Sequence, residues 1–192
     1  MGPGEEPGDF DSGEDYADYF LEEEAGAYKF AVNDKTYIGS KGHTFWMMKE
    51  PSELSFNQLE VELTKHSGYS GAGYGVIFCQ TDIEVGEKAY LMVLLGIEGE
   101  YCVGKLVHNR FSYLCPWESH DSIIKGYGRP NELLVKRLSS DSYGLWINGD
   151  AVVEFSDRDA PFTDGGGWGF VVVVSPRDKF PQVPVKVDFV VN

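Results

Sequence analysis

The chain has three cysteines, a pair of glutamates on alternating positions, and a Ser-His-Asp run, and these are the side chains that could do chemistry. Two cysteines sit near the ends of YCVGKLVHNRFSYLC, residues 101–115. Asn109 tolerates left-handed backbone, so a turn at His108-Asn109 is allowed. That turn sets Val107 against Arg110 and, counted outward, Cys102 against Cys115 on one face. Pair types alternate along an antiparallel ladder, and 102/115 falls on a non-hydrogen-bonded pair, with Cα atoms about 4.5 Å apart, inside the disulfide range. A Cys102–Cys115 disulfide is therefore expected as feasible; the alternative is a pair of plain buried thiols, since Cys packs as a small apolar residue. Cys79 lies two strands away, roughly 10 Å off, and is expected to stay free. No third or fourth ligand shares the face, so a metal reading of these cysteines has no support.

The other polar clusters resolve less far. ESHD, residues 118–121, places Ser119, His120 and Asp121 side by side, whereas a catalytic triad is assembled in space from separated positions. A metal site from Glu118, His120, Asp121 and His108 has no tight ligand spacing. SDRDAPFTDGGG, residues 156–167, carries Asp157, Asp159 and Asp164, an oxygen-rich composition of the kind calcium takes. The twelve-residue calcium pattern is absent, and Asp, Pro and Gly are ordinary turn residues, so these three are candidate calcium ligands and no cofactor is assigned. GYSGAGYG, residues 68–75, is followed by a strand rather than by the helix a phosphate loop needs. Among the aromatics, most are expected to fill the core. Trp146 alternates against Leu145 and Ile147 and should face away from them. Trp117, in a loop entry beside Glu118 and His120, would suit a sugar ring by stacking on its apolar face with hydrogen bonds at the rim. Trp117, Glu118, His120 and Trp146 form the expected ligand-binding set.

The elements that must position these residues are strands. QLEVELTK puts Leu59, Val61 and Leu63 on one face and Glu60 and Glu62 on the other, a half-buried strand. GYGVIFCQT, KAYLMVLLG, EYCVGKLV and RFSYLC follow with short turns, an antiparallel meander. In YGLWINGDAVVEF, Asn148-Gly149 lies between two β-rich arms, the signal of a type I′ hairpin. About a dozen short strands make this an all-β antiparallel sandwich, with at most a short N-terminal helix in DYADYFLEEEAG, residues 15–26, where Tyr16, Tyr19 and Phe20 have helical spacing. Residues 1–14 read as an acidic Pro/Gly linker and 15–192 as a single sandwich domain. The 192 residues carry a net charge of −15. Ten of the 31 acids lie in residues 1–28, which hold no Lys or Arg. Nucleic acid and anionic membrane surfaces are poor partners for such a surface. No apolar run reaches the roughly 20 residues of a membrane-spanning helix, and the start shows no signal-peptide pattern. A removed signal or lipid anchor before that start, tethering the domain to a membrane, is one expectation; a cytosolic protein is the other.

YGVIF, YLMVLLGIEGEYCVGK, IIKGYGRPNELLV, YGLWINGDAVVEF and GGGWGFVV, in this order, resemble a concanavalin A-like, laminin G-like jelly-roll domain. The likeness runs from about Tyr28 to the C-terminus. Its best-matched pieces are Asn131-x-Leu133-x-Val135 and Leu145-x-Ile147-Asn148-Gly149, which the resemblance makes a strand pair with the Asn-Gly turn at its tip. Such domains are frequent in bacterial secreted and surface proteins, including lipoproteins. The resemblance implies a non-catalytic extracytoplasmic module, periplasmic or at the cell surface, that binds glycan or a surface protein. A divergent glycoside hydrolase, or a structural or assembly domain, are the alternatives. Glycosidases of this fold resemble a Glu-x-Asp-x-Glu strand, whose alternation puts carboxylates on one face. Glu60-Val61-Glu62 lacks the middle Asp, and its next same-face residue is Thr64, so no enzyme is expected.

Overall fold

The computed structural model describes residues 20–24, 26–32, 44–49, 56–84, 87–108, 110–157, 166–174 and 184–192. They fold into thirteen strands: β1 (Phe20–Glu24), β2 (Ala27–Val32), β3 (Thr44–Lys49), β4 (Gln58–Ser67), β5 (Tyr74–Glu84), β6 (Glu87–Leu95), β7 (Glu100–Val107), β8 (Arg110–Ser119), β9 (Asn131–Arg137), β10 (Ser142–Ile147), β11 (Asp150–Ser156), β12 (Gly167–Val173) and β13 (Val185–Val191). A seven-stranded sheet runs β1-β2-β13-β4-β9-β10-β11, and a six-stranded sheet runs β3-β12-β5-β6-β7-β8. All pairings are antiparallel.

The expected N-terminal helix is corrected over its second half. Phe20–Glu24 is strand β1, paired with β2 across a turn in which Gly26 takes a φ of +84°. Pairing to an adjacent strand satisfies the backbone along its length, and outweighs a helical spacing carried by three aromatics. Tyr16, Tyr19 and the 1–14 linker lie outside the described residues.

The two sheets are built from different sequence patterns. In β4, Leu59, Val61 and Leu63 are buried against the core while Glu60 is exposed and Glu62 half-buried, as the alternation requires. In the six-stranded sheet both parities are apolar. Val76, Phe78, Leu91, Val93 and Val103 face the interior, while Ile77, Tyr90, Met92, Leu94 and Cys102 form a second cluster on the outer face. Each fully buried aliphatic or aromatic of this kind contributes about 1.5–3 kcal/mol. A sheet buried on its outer face is the scaffold for the site below.

The Asn-Gly turn forms as the sequence requires, with φ of +52° at Asn148 and +86° at Gly149. Its asparagine also works across the fold. The Glu132 amide donates to Asn148 Oδ1 at 2.8 Å, and Asn148 Nδ2 donates to Ser122 O at 2.7 Å and to Asn131 Oδ1 at 2.8 Å. Asn131, 1% exposed, accepts from Ile124 N at 2.8 Å and donates to Ile124 O at 3.0 Å. The two asparagines, Asn131 buried and Asn148 half-buried, thus fasten the 120–130 segment to the end of the seven-stranded sheet, with nearly all of their hydrogen-bonding groups satisfied.

Candidate functional site: an aromatic groove on the six-stranded sheet

Strand β8 is the edge of its sheet, and it is irregular in a way that shapes the site. Val107 pairs with Arg110, Leu106 with Phe111, Lys105 with Ser112 and Gly104 with Tyr113. The next pair is Val103 with Cys115, so Leu114 is an extra residue; a second extra residue falls between Cys115 and Glu118, which pairs with Tyr101. Each bulge reverses the side-chain parity that follows it. Phe111, Tyr113 and Trp117 therefore share the outer face, although strict alternation would place Cys115 among them. Pro116 is tolerated here because an edge strand has one side of its backbone unpaired.

These three aromatics are 42%, 50% and 39% exposed. They stand along a groove of about 280 Å³ whose floor includes Met92, Leu94, Cys102 and Val171, with Gly71 and Gly73 at one end. Glycine leaves room on the sheet for two of the rings, Phe111 and Trp117. A Cβ on Gly104 would come within 2.2 Å of Phe111, and one on Gly73 within 3.1 Å of both Trp117 and Leu94. Phe111 and Tyr113 meet edge-to-face with ring centroids 4.8 Å apart, a favoured arrangement for two rings. Among the described residues the lining contains no carboxylate, ammonium, guanidinium or imidazole. Cys102 at its floor is fully buried, and burial pushes its thiol up to about 12, so it presents a neutral S–H.

The expected ligand-binding set is not brought together, and this is a correction. Trp117 lies within β8, not in a loop entry, and is the one member in the groove. Glu118 follows it on the opposite face, where the Tyr101 hydroxyl donates to it at 3.5 Å. His120 is beyond the strand end, its Nδ1 2.7 Å from Ser122 Oγ. Trp146 faces away from Leu145 and Ile147, as expected, but on β10 of the other sheet, its ring lying over Gly144. Ser119, His120 and Asp121 show no relay; the His120 ring nitrogen is engaged with Ser122 instead.

The expected disulfide is also corrected. Cys79, Cys102 and Cys115 are free thiols. The turn and the first four pairs of the β7–β8 hairpin are as anticipated, but the bulge at Leu114 moves Cys115 opposite Val103 and turns it toward the interior, while Cys102 faces the groove. The cysteines consequently carry no information on compartment. Cys79, at a bulge with φ of +54°, donates to Tyr143 Oη at 3.3 Å, and burial pushes it up to about 11.

Of the calcium candidates, Asp157 is buried and paired with Lys105 Nζ at 2.7 Å, so its carboxylate serves an internal ion pair rather than a metal loop. Asp159 and Asp164 lie outside the described residues. Among the described residues no group of three or more His, Cys, Asp or Glu side chains is placed to hold a metal ion. Glu60 and Glu62 sit on the outer face of the seven-stranded sheet, away from the groove. No described helix is long and apolar enough to cross a membrane.

Sequence reasoning missed Phe111 and did not single out Tyr113 from the other aromatics. A signal for the groove was present. In YLMVLL both parities are apolar, and a strand buried on both faces has something covering its outer side.

No family model and no curated protein matches the chain. Solved structures do. A β-glucanase of Bacillus licheniformis has a TM-score of 0.57 at 8% identity, covering 91% of this chain and 82% of its own. A family 7 alginate lyase in complex with substrate gives 0.55 at 14% identity, with 91% and 78% covered. The carbohydrate binding module CBM66 from Bacillus subtilis gives 0.54 at 10% identity, with 78% and 80% covered. The fold is that of a concanavalin A-like jelly roll.

Proposed function

We propose that this domain is a non-catalytic module that binds a carbohydrate along the outer face of β8, and that it works outside the cytoplasm at the cell surface. The observation that carries the reading is the row of Phe111, Tyr113 and Trp117, half-exposed on one face beside an apolar floor. A pyranose presents a flat face of C–H groups, and an exposed aromatic ring beside an apolar floor is matched to it. A volume of about 280 Å³ is at the small end of ligand pockets and suits one or two sugar rings. That the fold is shared by a carbohydrate binding module, a β-glucanase and an alginate lyase supports carbohydrate as the ligand class. Hydrolysis needs two carboxylates flanking the bond, and the described lining of the groove has none. The extracytoplasmic setting is supported by the sequence resemblance alone.

A second reading, an assembly surface for another protein, is favoured by the aliphatic floor, because protein contacts also bury Met, Leu and aromatic side chains. A glycan-array screen of the purified domain, with and without calcium, separates the two. The carbohydrate reading expects binding that is indifferent to calcium and lost in Trp117→Ala. Absence of binding to every glycan would favour the assembly reading.

A further inference from the structure

Lys65 is 1% exposed, among the largest fully buried side chains of the molecule. It sits on β4 with its neighbours Leu63 and Val61 facing the interior, and its ammonium lies 5.8 Å from the Tyr74 ring on the other sheet. Its donors go to the loop that joins the two sheets. Nζ donates to Tyr69 O at 2.6 Å and to Ala72 O at 2.5 Å. The same loop is held from outside by the Tyr127 hydroxyl, which donates to Gly68 O. It ends on Gly73, whose carbonyl accepts from Val173 N at 2.9 Å and where an added Cβ would come 3.1 Å from Trp117 Cη2. Gly71 and Gly73 line the groove.

We infer that Lys65 is a positioning residue for the groove: from inside the sandwich it fixes the 68–73 loop, and that loop fixes the ring of Trp117. The relevance to ligand binding rests on the groove being the binding site, whereas the positioning itself does not. The Tyr69 carbonyl also accepts from the Ala72 amide at 3.3 Å across the turn, so Lys65 adds a second donor there and supplies the side-chain donor to Ala72 O.

The arrangement has a pH signature of definite sign. Burial lowers Lys65 to about 8. An opened loop would wet the amine and return it toward its usual value near 10.4. The closed loop then binds the proton less tightly than the open one, so closure strengthens as pH rises above 8, approaching tenfold per pH unit until about pH 10. The neutral amine keeps two hydrogens for its two carbonyls. The titratable groups facing it are Tyr74 on β5, Tyr69 in the loop and, beyond the loop, Tyr127 with Glu98 near it; burial holds Tyr74 up at about 12 and raises Tyr127. On β13 the partner of Lys65 is Val187, which does not titrate, and His66 points to the opposite face, 2.7 Å from Asp188.

The test is fluorine NMR of the protein labelled with 5-fluorotryptophan, with the Trp117 signal assigned by Trp117→Phe, read for solvent exposure from pH 6.5 to 10. The expected result is a Trp117 exposure that falls with rising pH above 8 in the wild type. In Lys65→Met the ring should be more exposed at every pH and indifferent to pH. Lys65→Arg, which keeps donors but does not lose its charge, should hold the ring near its low-pH wild-type exposure and remove the pH response. A wild-type signal flat across the range, a pH response that survives in Lys65→Arg, or a folded Lys65→Met with wild-type exposure would each overturn the inference. If Lys65→Met does not fold, the wild-type titration and Lys65→Arg decide. Since no readout uses a sugar, a domain that binds no glycan leaves this test intact.

Discussion

Two glycines of the six-stranded sheet, Gly104 on β7 and Gly75 on β5, should respond differently to the same added methyl group. A Cβ on Gly104 would meet Phe111 Cε2 at 2.2 Å and Cζ at 2.4 Å, both below any real contact, yet both belong to a ring that is 42% exposed on an edge strand. The ring can swing into solvent. Gly104→Ala then loses the edge contact with Tyr113, about 0.5–1.5 kcal/mol. It gains about 0.5–1 kcal/mol from replacing glycine inside a strand. The net change in unfolding free energy is within about 1 kcal/mol, while one wall of the groove is gone. A Cβ on Gly75 would instead lie 1.9 Å from the Val93 carbonyl oxygen and 2.9 Å from its carbon. That obstacle is backbone of β6, paired to β5 in the middle of the sheet. Nothing can swing away, so the strands must part, and Gly75→Ala should cost more than about 3 kcal/mol. Urea unfolding of the two variants, compared at equal m-value, reads the difference directly. A Gly75→Ala protein within 1 kcal/mol of wild type, or a Gly104→Ala protein destabilised as much as Gly75→Ala, would refute the reasoning that the groove rings rest on glycine while the central strands do not yield.

Other consequences follow from the buried polar groups. Lys105→Met strands Asp157 inside the protein and should cost about 3–5 kcal/mol, while Lys105→Met with Asp157→Leu recovers most of that loss in a double-mutant cycle of unfolding free energies. Asn131→Ala removes three hydrogen bonds and should cost about 3 kcal/mol at roughly 1 kcal/mol each, and limited proteolysis should then cut first within residues 120–130. Cys79 and Cys102, which burial holds up at about 11 and 12, should resist thiol reagent at pH 8 in the folded protein, and all three cysteines should react after denaturation without reductant. An intact mass lighter by two hydrogens would restore the disulfide.

The fold was legible because its signals are local. Alternation in QLEVELTK and the Asn148-Gly149 turn each act through a strand or a hairpin and need no knowledge of distant partners. The helical spacing of Tyr16, Tyr19 and Phe20 misled because β1 is decided by its pairing with β2. The site was less legible, and the reason is physical. An extra residue in β8 reverses the faces after it until the second bulge restores them, so a register counted outward from the correct turn fails at Leu114. That one irregularity separates Cys102 from Cys115. Trp117 could be picked as an exposed aromatic, but its companions could not be picked from proximity in sequence. Glu118 and His120 are its near neighbours along the chain and lie off its face, while Met92 and Val171 are distant and line the same groove. Lys65 continues the inward parity of Leu59, Val61 and Leu63, but a lysine near the end of an amphipathic strand reads as solvent-facing and hides that signal.

The central claim is that ligand binds on the outer face of the six-stranded sheet, and backbone amide chemical-shift mapping with a sugar taken from the array tests it most directly. The account predicts shifts concentrated at Gly71, Gly73, Phe111, Tyr113 and the Trp117 indole N–H, with the outer face of the seven-stranded sheet silent. Shifts centred on Glu60, Glu62 and Trp146 would contradict it.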